Sequence, residues 1–171
     1  SNVKSLASKA GDRLSDIFIS YSRADRERVE RLAAALEASG FSIWCDKNIE
    51  GGTEFSKETE ERLDAAKVVL VCWSKASVAS MWVADEATVG RDKGVLVPIA
   101  LDAVPPKIGF RQIQTIDFSS WSEGTGALEF EQLAQALRAK LQAERAASVE
   151  ARDIRAAAAS RSPTQQTLEG T

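Results

Sequence analysis

The sequence predicts an α/β fold in which a parallel sheet is covered by helices on both faces. Three observations lead there. Short apolar runs alternate along the chain with segments of helical periodicity, as in βαβ units. The run "KVVLVCWS" (67–74) is apolar almost throughout, as a strand buried on both faces requires. Glycines at 40 and 94 fall where two of the helices must stop.

Taken in order, "DIFISYS" (16–22) is the first strand, apolar and then polar at its end. The next segment, 23–40, carries Val29, Leu32, Ala33 and Leu36 at helical spacing and closes at Gly40. "FSIWCD" (41–46) is a second strand, followed by a loop in which Gly51 and Gly52 permit unusual backbone angles. A helix over 54–66 places Phe55, Thr59 and Leu63 on one side. The unbroken run 67–74 is the central strand. A helix over 76–94 follows, with Ala79, Val83, Ala87 and Gly90 as a narrow stripe suited to lie against the sheet. "VLVPIAL" (95–101) is a fourth strand, where Pro98 suggests an edge or a bulge. A weak fifth strand (115–120) precedes a last helix with Leu133, Leu137 and Leu141 one turn apart.

Composition narrows the function. The 171 residues are 44% hydrophobic and carry a net charge of -3, which argues against nucleic-acid binding. There is no apolar run long enough to span a membrane and no signal peptide. His is absent, which excludes Ser-His-Asp and Cys-His catalysis and the HExxH zinc site. The two cysteines, Cys45 and Cys72, read as buried free thiols, and no metal site is expected. A reducing cytoplasm is the expected compartment. Ser1-Asn2 reads as a tag scar within an N-terminal extension, 1–14. The domain is expected over 15–145, followed at 146–171 by a helical extension and a disordered tail or linker.

Ligands of open parallel sheets bind beyond the carboxyl ends of the strands. Four segments arrive there: Tyr21, Ser22 and Arg23; the loop 46–55 with Asp46, Lys47, Glu50 and Phe55; Trp73 and Ser74; and the helix holding Trp82 and Glu86. They offer cations, aromatics and carboxylates, a set suited to phosphates and flat rings. No GxxxxGK[ST] and no GxGxxG after a strand is present, so a P-loop ATPase and a dinucleotide-binding dehydrogenase are disfavoured. In "WVADEATVG" (82–90), Trp82 and Glu86 lie four residues apart and share a face. They sit about 100° round from the small-residue stripe, on its flank. Spacing alone leaves two readings. Trp82 packs under a loop and Glu86 is a solvated charge, or the pair belongs to a site. An exposed or half-exposed Glu86 is expected in either case, so removing it should cost little stability.

"DIFISYSRADR" (16–26), "GFSIWCDKNIEGGTEF" (40–55) and "SKASVASMWVADE" (74–86) together resemble the Toll/interleukin-1 receptor (TIR) domain family over about residues 15–142. The resemblance implies a flavodoxin-like three-layer sandwich with five parallel strands, and makes 46–55 the main functional loop. Many bacterial and plant members cleave NAD at the nicotinamide-ribose bond. Glu86 matches their catalytic Glu and Trp82 the Trp before it. Tyr21, Ser22 and Arg23 match the loop that contacts the dinucleotide. A Ser stands where some members have a second basic residue, so phosphate contact falls to Arg23. Glu50 matches a frequent acidic loop residue, and Lys47 is within reach of a phosphate.

The chemistry agrees with the resemblance. Glycosidases need a second carboxyl group to protonate the leaving oxygen. Nicotinamide leaves NAD as a neutral molecule, so one carboxylate that stabilises the cationic sugar can suffice. NAD is then the substrate and no cofactor is needed. The expected function is a self-association-activated NAD glycohydrolase, a bacterial effector module, cytoplasmic or secreted into a host cell. Its products are nicotinamide and ADP-ribose or a cyclic isomer. The rivals are a non-catalytic module that docks to other TIR domains and a nucleoside deoxyribosyltransferase.

Overall fold

The computed structural model describes residues 15–45 and 57–161. Five strands form one sheet: β1 (Ile17–Ser20), β2 (Ile43–Cys45), β3 (Val68–Trp73), β4 (Leu96–Ala100) and β5 (Ile116–Asp117). All neighbouring strands are parallel, in the order β2-β1-β3-β4-β5. Helices α1 (Arg26–Ala38), α2 (Lys57–Ala65), α3 (Met81–Asp92) and α4 (Leu128–Ala159) connect or follow them. This is the flavodoxin-like architecture, with β3 at the centre.

Two apolar layers, one on each face, hold the sheet. Alternate residues of a strand point to opposite faces. Ile17, Ile19, Leu70 and Cys72 pack with Val29, Leu32 and Leu36 of α1 and with Leu133 and Leu137 of α4. Phe18, Val69, Val71 and Trp73 pack on the other face with Leu63 of α2 and with Val83 and Ala87 of α3. The pairing Phe18↔Val69 and Ser20↔Val71 keeps this alternation aligned across the sheet.

Gly90 brings α3 close to the sheet. A Cβ there would lie 2.7 Å from the Val69 Cβ, so only glycine permits the contact. Gly94, with φ +72°, ends the helix in the left-handed region that favours glycine.

Several boundaries differ from expectation. The segment 23–40 is not one helix, because Arg23–Asp25 form a 3-10 turn before α1. Likewise Ser77–Ala79 form a 3-10 turn ahead of α3. Ala79 is therefore exposed and does not join the stripe against the sheet, whereas Val83, Ala87 and Gly90 are buried there. Pro98 does not mark an edge strand, since β4 pairs on both sides. Leu101 N–H donates to the Trp73 carbonyl, so Val97 and Ile99 also turn their backbone groups toward β3. Pro98 faces the other way, at a level where β5 has not begun, because pairing with β5 starts at Ile99. The missing N–H thus removes no hydrogen bond from the ladder.

Of the cysteines, Cys72 is buried, Cys45 is only half-buried, and both are free thiols. Helix α4 runs 32 residues, well past the last side chains that touch the core.

Candidate active site

Strand β1 ends at the carboxyl edge of the sheet with Ser20. Period two puts Ser20 on the same face as Phe18, toward α3. Helix α3 begins at Ser80, whose hydroxyl accepts a hydrogen bond from Val83 N–H at 3.3 Å. That cap fixes where the first turn starts. With Gly90 holding the helix against β3, Glu86 is carried one turn earlier to the end of β1. There Ser20 Oγ donates to Glu86 Oε1 at 3.1 Å. Glu86 is 2% exposed, while its neighbour Asp85 is exposed. The expected exposed Glu86 is therefore corrected: the narrow Val83–Ala87–Gly90 contact draws the helix in, so its flank is covered too. Trp82, one turn before, is half-buried.

Trp73 lies two residues, about 7 Å, beyond Val71 on β3, on the face that carries Ser20. It is fully buried against Phe110, with ring centroids 5.3 Å apart. The structure thus makes it a core residue in the layer between the sheet and α3. Its indole Nε1–H is buried with no acceptor among the described residues.

The remaining expected residues divide. Tyr21 is one position past Ser20 and so falls on the opposite face, 3% exposed in the α1/α4 layer. Ser22 is half-buried, and Arg23 is exposed on the 3-10 turn. Ser74 is fully buried on the α1 side, where its hydroxyl donates to Asp25 Oδ2 and accepts from Ser77 N–H at 3.0 Å. It is occupied by structure and does not face Glu86. Asp46, Lys47, Glu50 and Phe55 lie outside the described residues.

A polar cluster that sequence reading missed surrounds Ser74. Asp25, 5% exposed, accepts from Arg28 at 2.6 Å. Arg28 also donates to Asp102 Oδ1 at 2.9 Å and to the Leu101 carbonyl at 3.0 Å. Lys75 N–H donates to Asp102 Oδ2 at 2.9 Å. The hydrogen bond from Arg28, then that from Lys75 N–H, holds the Asp102 carboxyl below its usual range. Arg28 is correspondingly raised, first by its hydrogen bond to Asp102. Nearby, burial pushes the Cys72 thiol up, so it stays protonated at neutral pH. Ser20 had a signal in the sequence, being the polar end of an apolar run on the Phe18 side. The Asp25–Arg28–Asp102 cluster had none, because Asp102 stands 74 residues from Arg28.

The geometry sets a buried carboxylate at the carboxyl edge of a parallel sheet, one helical turn after Trp82. The family model described as the TIR domain matches residues 17–134. The chain belongs to the TIR domain family. Solved structures agree on the fold. The TIR domain of the Toll-related receptor TRR-2 from Hydra magnipapillata matches with TM-score 0.61 and 17% identity, over 72% of this chain and 98% of that one. The TIR domains of the activated Roq1 resistosome, which directly recognises the pathogen effector XopQ, match with TM-score 0.53 and 17% identity, over 71% and 98%. A metazoan TIR-STING receptor from C. gigas, in complex with 2',3'-cGAMP, matches with TM-score 0.54 and 21% identity, over 75% of this chain and 40% of that one. No curated protein is similar enough to this TIR domain to count as a relative. Among the described residues, no helix of the domain is long and apolar enough to cross a membrane.

Proposed function

We propose that this TIR domain cleaves NAD at the nicotinamide-ribose bond, with Glu86 as the essential carboxylate. The observation that carries the reading is the Ser20–Glu86 hydrogen bond of 3.1 Å, which pins a buried carboxylate at the strand ends one turn from Trp82. A carboxylate withdrawn from water acts far more strongly on a developing cation than a solvated one does. The bond between C1' of the ribose and the pyridinium nitrogen breaks, and nicotinamide leaves with the bonding pair as a neutral molecule. Glu86 stabilises the cationic sugar. Water then adds to C1' and loses a proton, giving ADP-ribose, or a nucleophile within the same molecule closes a cyclic isomer. Arg23, exposed at the end of the sheet, is the cation for the diphosphate. Lys47, Asp46, Glu50 and Phe55 complete the substrate loop in this reading, and the catalytic unit spans residues 15–145.

Glu86 is covered in this structure, so substrate reaches it only after local rearrangement. Contacts between copies supply that free energy, and activity per molecule rises with concentration. The test is incubation with NAD over a wide range of protein concentration, with products separated by chromatography, for the unaltered chain and Glu86→Gln. Undiminished turnover by Glu86→Gln would sink the reading.

One observation favours a second reading, a non-catalytic module that docks to other TIR domains. At 2% exposure, Glu86 can serve as a structural tie between β1 and α3. On that reading the unaltered chain releases no nicotinamide at any concentration, and Glu86→Gln changes only stability.

A further inference from the structure

Strand β4 has a stretch with no strand beside it. Val69 N–H donates to the Val95 carbonyl at 3.0 Å, and Leu101 N–H to the Trp73 carbonyl at 2.7 Å. In a parallel ladder this turns the backbone groups of Val95, Val97, Ile99 and Leu101 toward β3, and those of Leu96, Pro98 and Ala100 toward β5. Phe118 N–H donates to the Ala100 carbonyl at 2.8 Å, so Ile116 N–H, two residues earlier, meets the Pro98 carbonyl. Pairing with β5 begins at Ile99, and Pro98 has no N–H. Leu96 is left on this flank with one N–H and one C=O and, among the described residues, no strand opposite them.

Leu96 lines a groove of about 790 Å³ between β4, the segment 113–117 and α4. The floor is apolar, with Val97 and Pro98 buried and Ile116 and Ala136 half-buried, while Gln132 and Gln135 stand exposed at the rim. An apolar floor with a few converging polar groups, in a volume of this order, is what small-molecule sites share. The groove lies on the side of β4 away from β3, two strands from Ser20, so it is separate from Glu86.

Hydrogen bonding and charge fix the chemistry of an occupant. The N–H and C=O of one residue, side by side on one edge, match a partner with an acceptor next to an N–H donor, as on the edge of a ring lactam. An added strand needs a run of such pairs, and Pro98 ends the run after one. Lys140 marks one end of the groove. Its Nζ donates to the Gly94 carbonyl at 2.8 Å, two residues before Leu96 and so roughly 7 Å along the chain. The ammonium has three N–H groups, so it can hold an acid as well. Asp117, paired with Ala100, marks the other end and repels an acid there.

We propose that this groove binds a planar lactam that carries an acid group, with the lactam edge on the Leu96 backbone and the acid on Lys140. The site does not depend on NAD cleavage, and its test reads binding alone. Orotate has both groups. Uracil lacks the acid, and dimethylorotate, methylated on both ring nitrogens, lacks the N–H. Amide NMR of the isotope-labelled full chain follows the Leu96 N–H itself. Orotate should move the Leu96 resonance downfield and saturably. Uracil should bind about fivefold more weakly, the scale of one half-exposed ion pair. Dimethylorotate should leave the resonance in place. Lys140→Gln should bring orotate to the level of uracil and leave uracil unchanged. A Leu96 resonance that orotate does not move up to its solubility limit would overturn the proposal. So would an equal response to dimethylorotate, or orotate binding indifferent to Lys140→Gln.

Discussion

Two polar groups stand at the same end of the sheet, on opposite sides. On the α1 side, Asp25, Arg28 and Asp102 share one guanidinium, and Ser74, Ser77 and Lys75 N–H supply further donors. On the α3 side, Glu86 takes the neutral hydroxyl of Ser20, and the same layer buries the Trp73 indole N–H, which has no acceptor among the described residues. The first group sets one guanidinium between two carboxylates and ties three loops together, which suits structure. In the second, a carboxylate is withdrawn from water in the layer that also buries that indole N–H, an arrangement that costs stability. Exposure separates them as well: Arg28 is 40% exposed and Glu86 only 2%.

Mutations can break or sharpen this contrast. Glu86→Gln keeps the shape and removes the charge; NAD cleavage should fall at least about a hundredfold, measured as nicotinamide release. Its melting temperature should drop only modestly, because Ser20 can still donate to the amide oxygen. Gly90→Ala adds a Cβ 2.7 Å from Val69 Cβ and must push α3 outward. Thermal unfolding should report a loss of about 1–3 kcal/mol from overpacking, with cleavage reduced as Glu86 leaves Ser20.

Arg28→Met should leave the cleavage rate within about threefold while costing about 1–3 kcal/mol, since Asp25 stays buried without its cation. Its pH dependence has a definite sign. The folded Asp102 carboxyl is held below its unfolded value by Arg28. Its contribution is therefore present above about pH 4 and lost as pH falls through the lower folded value. The stability gap between Arg28→Met and the unaltered chain should be full at neutral pH and shrink in acid, as denaturant titrations at several pH values would show. Ser20→Ala is the mildest change, costing about 1 kcal/mol for one hydrogen bond. A KM effect larger than the kcat effect would show that Ser20 aligns substrate; equal losses would show that it positions Glu86.

The strands and the buried faces of the helices were legible in the sequence because period two and period 3.6 are written into it. "VVLVCW" could only be a strand covered on both faces, and Val29, Leu32, Ala33 and Leu36 could only be one face of a helix. Less legible was which strand-end residue meets Glu86. Tyr21 and Ser20 differ by one position, and that one position decides the face. Glu86 itself was singled out by spacing and resemblance, but its burial was not foreseen, because that depends on how closely Gly90 lets α3 approach. Asp25, Arg28 and Asp102 were invisible, since their meeting is a property of the fold and not of any local pattern.

Pro98 has a consequence for a domain proposed to work in company. Strand β5 is two residues long, so at Leu96–Pro98 β4 has a groove for a neighbour and not a strand. Such a flank is where stray strands add on and start cross-β growth. A proline there denies an incoming strand one of the N–H groups it would need. Molecules that crowd together can then meet through helices and side chains without fusing their sheets, and the assembly stays reversible.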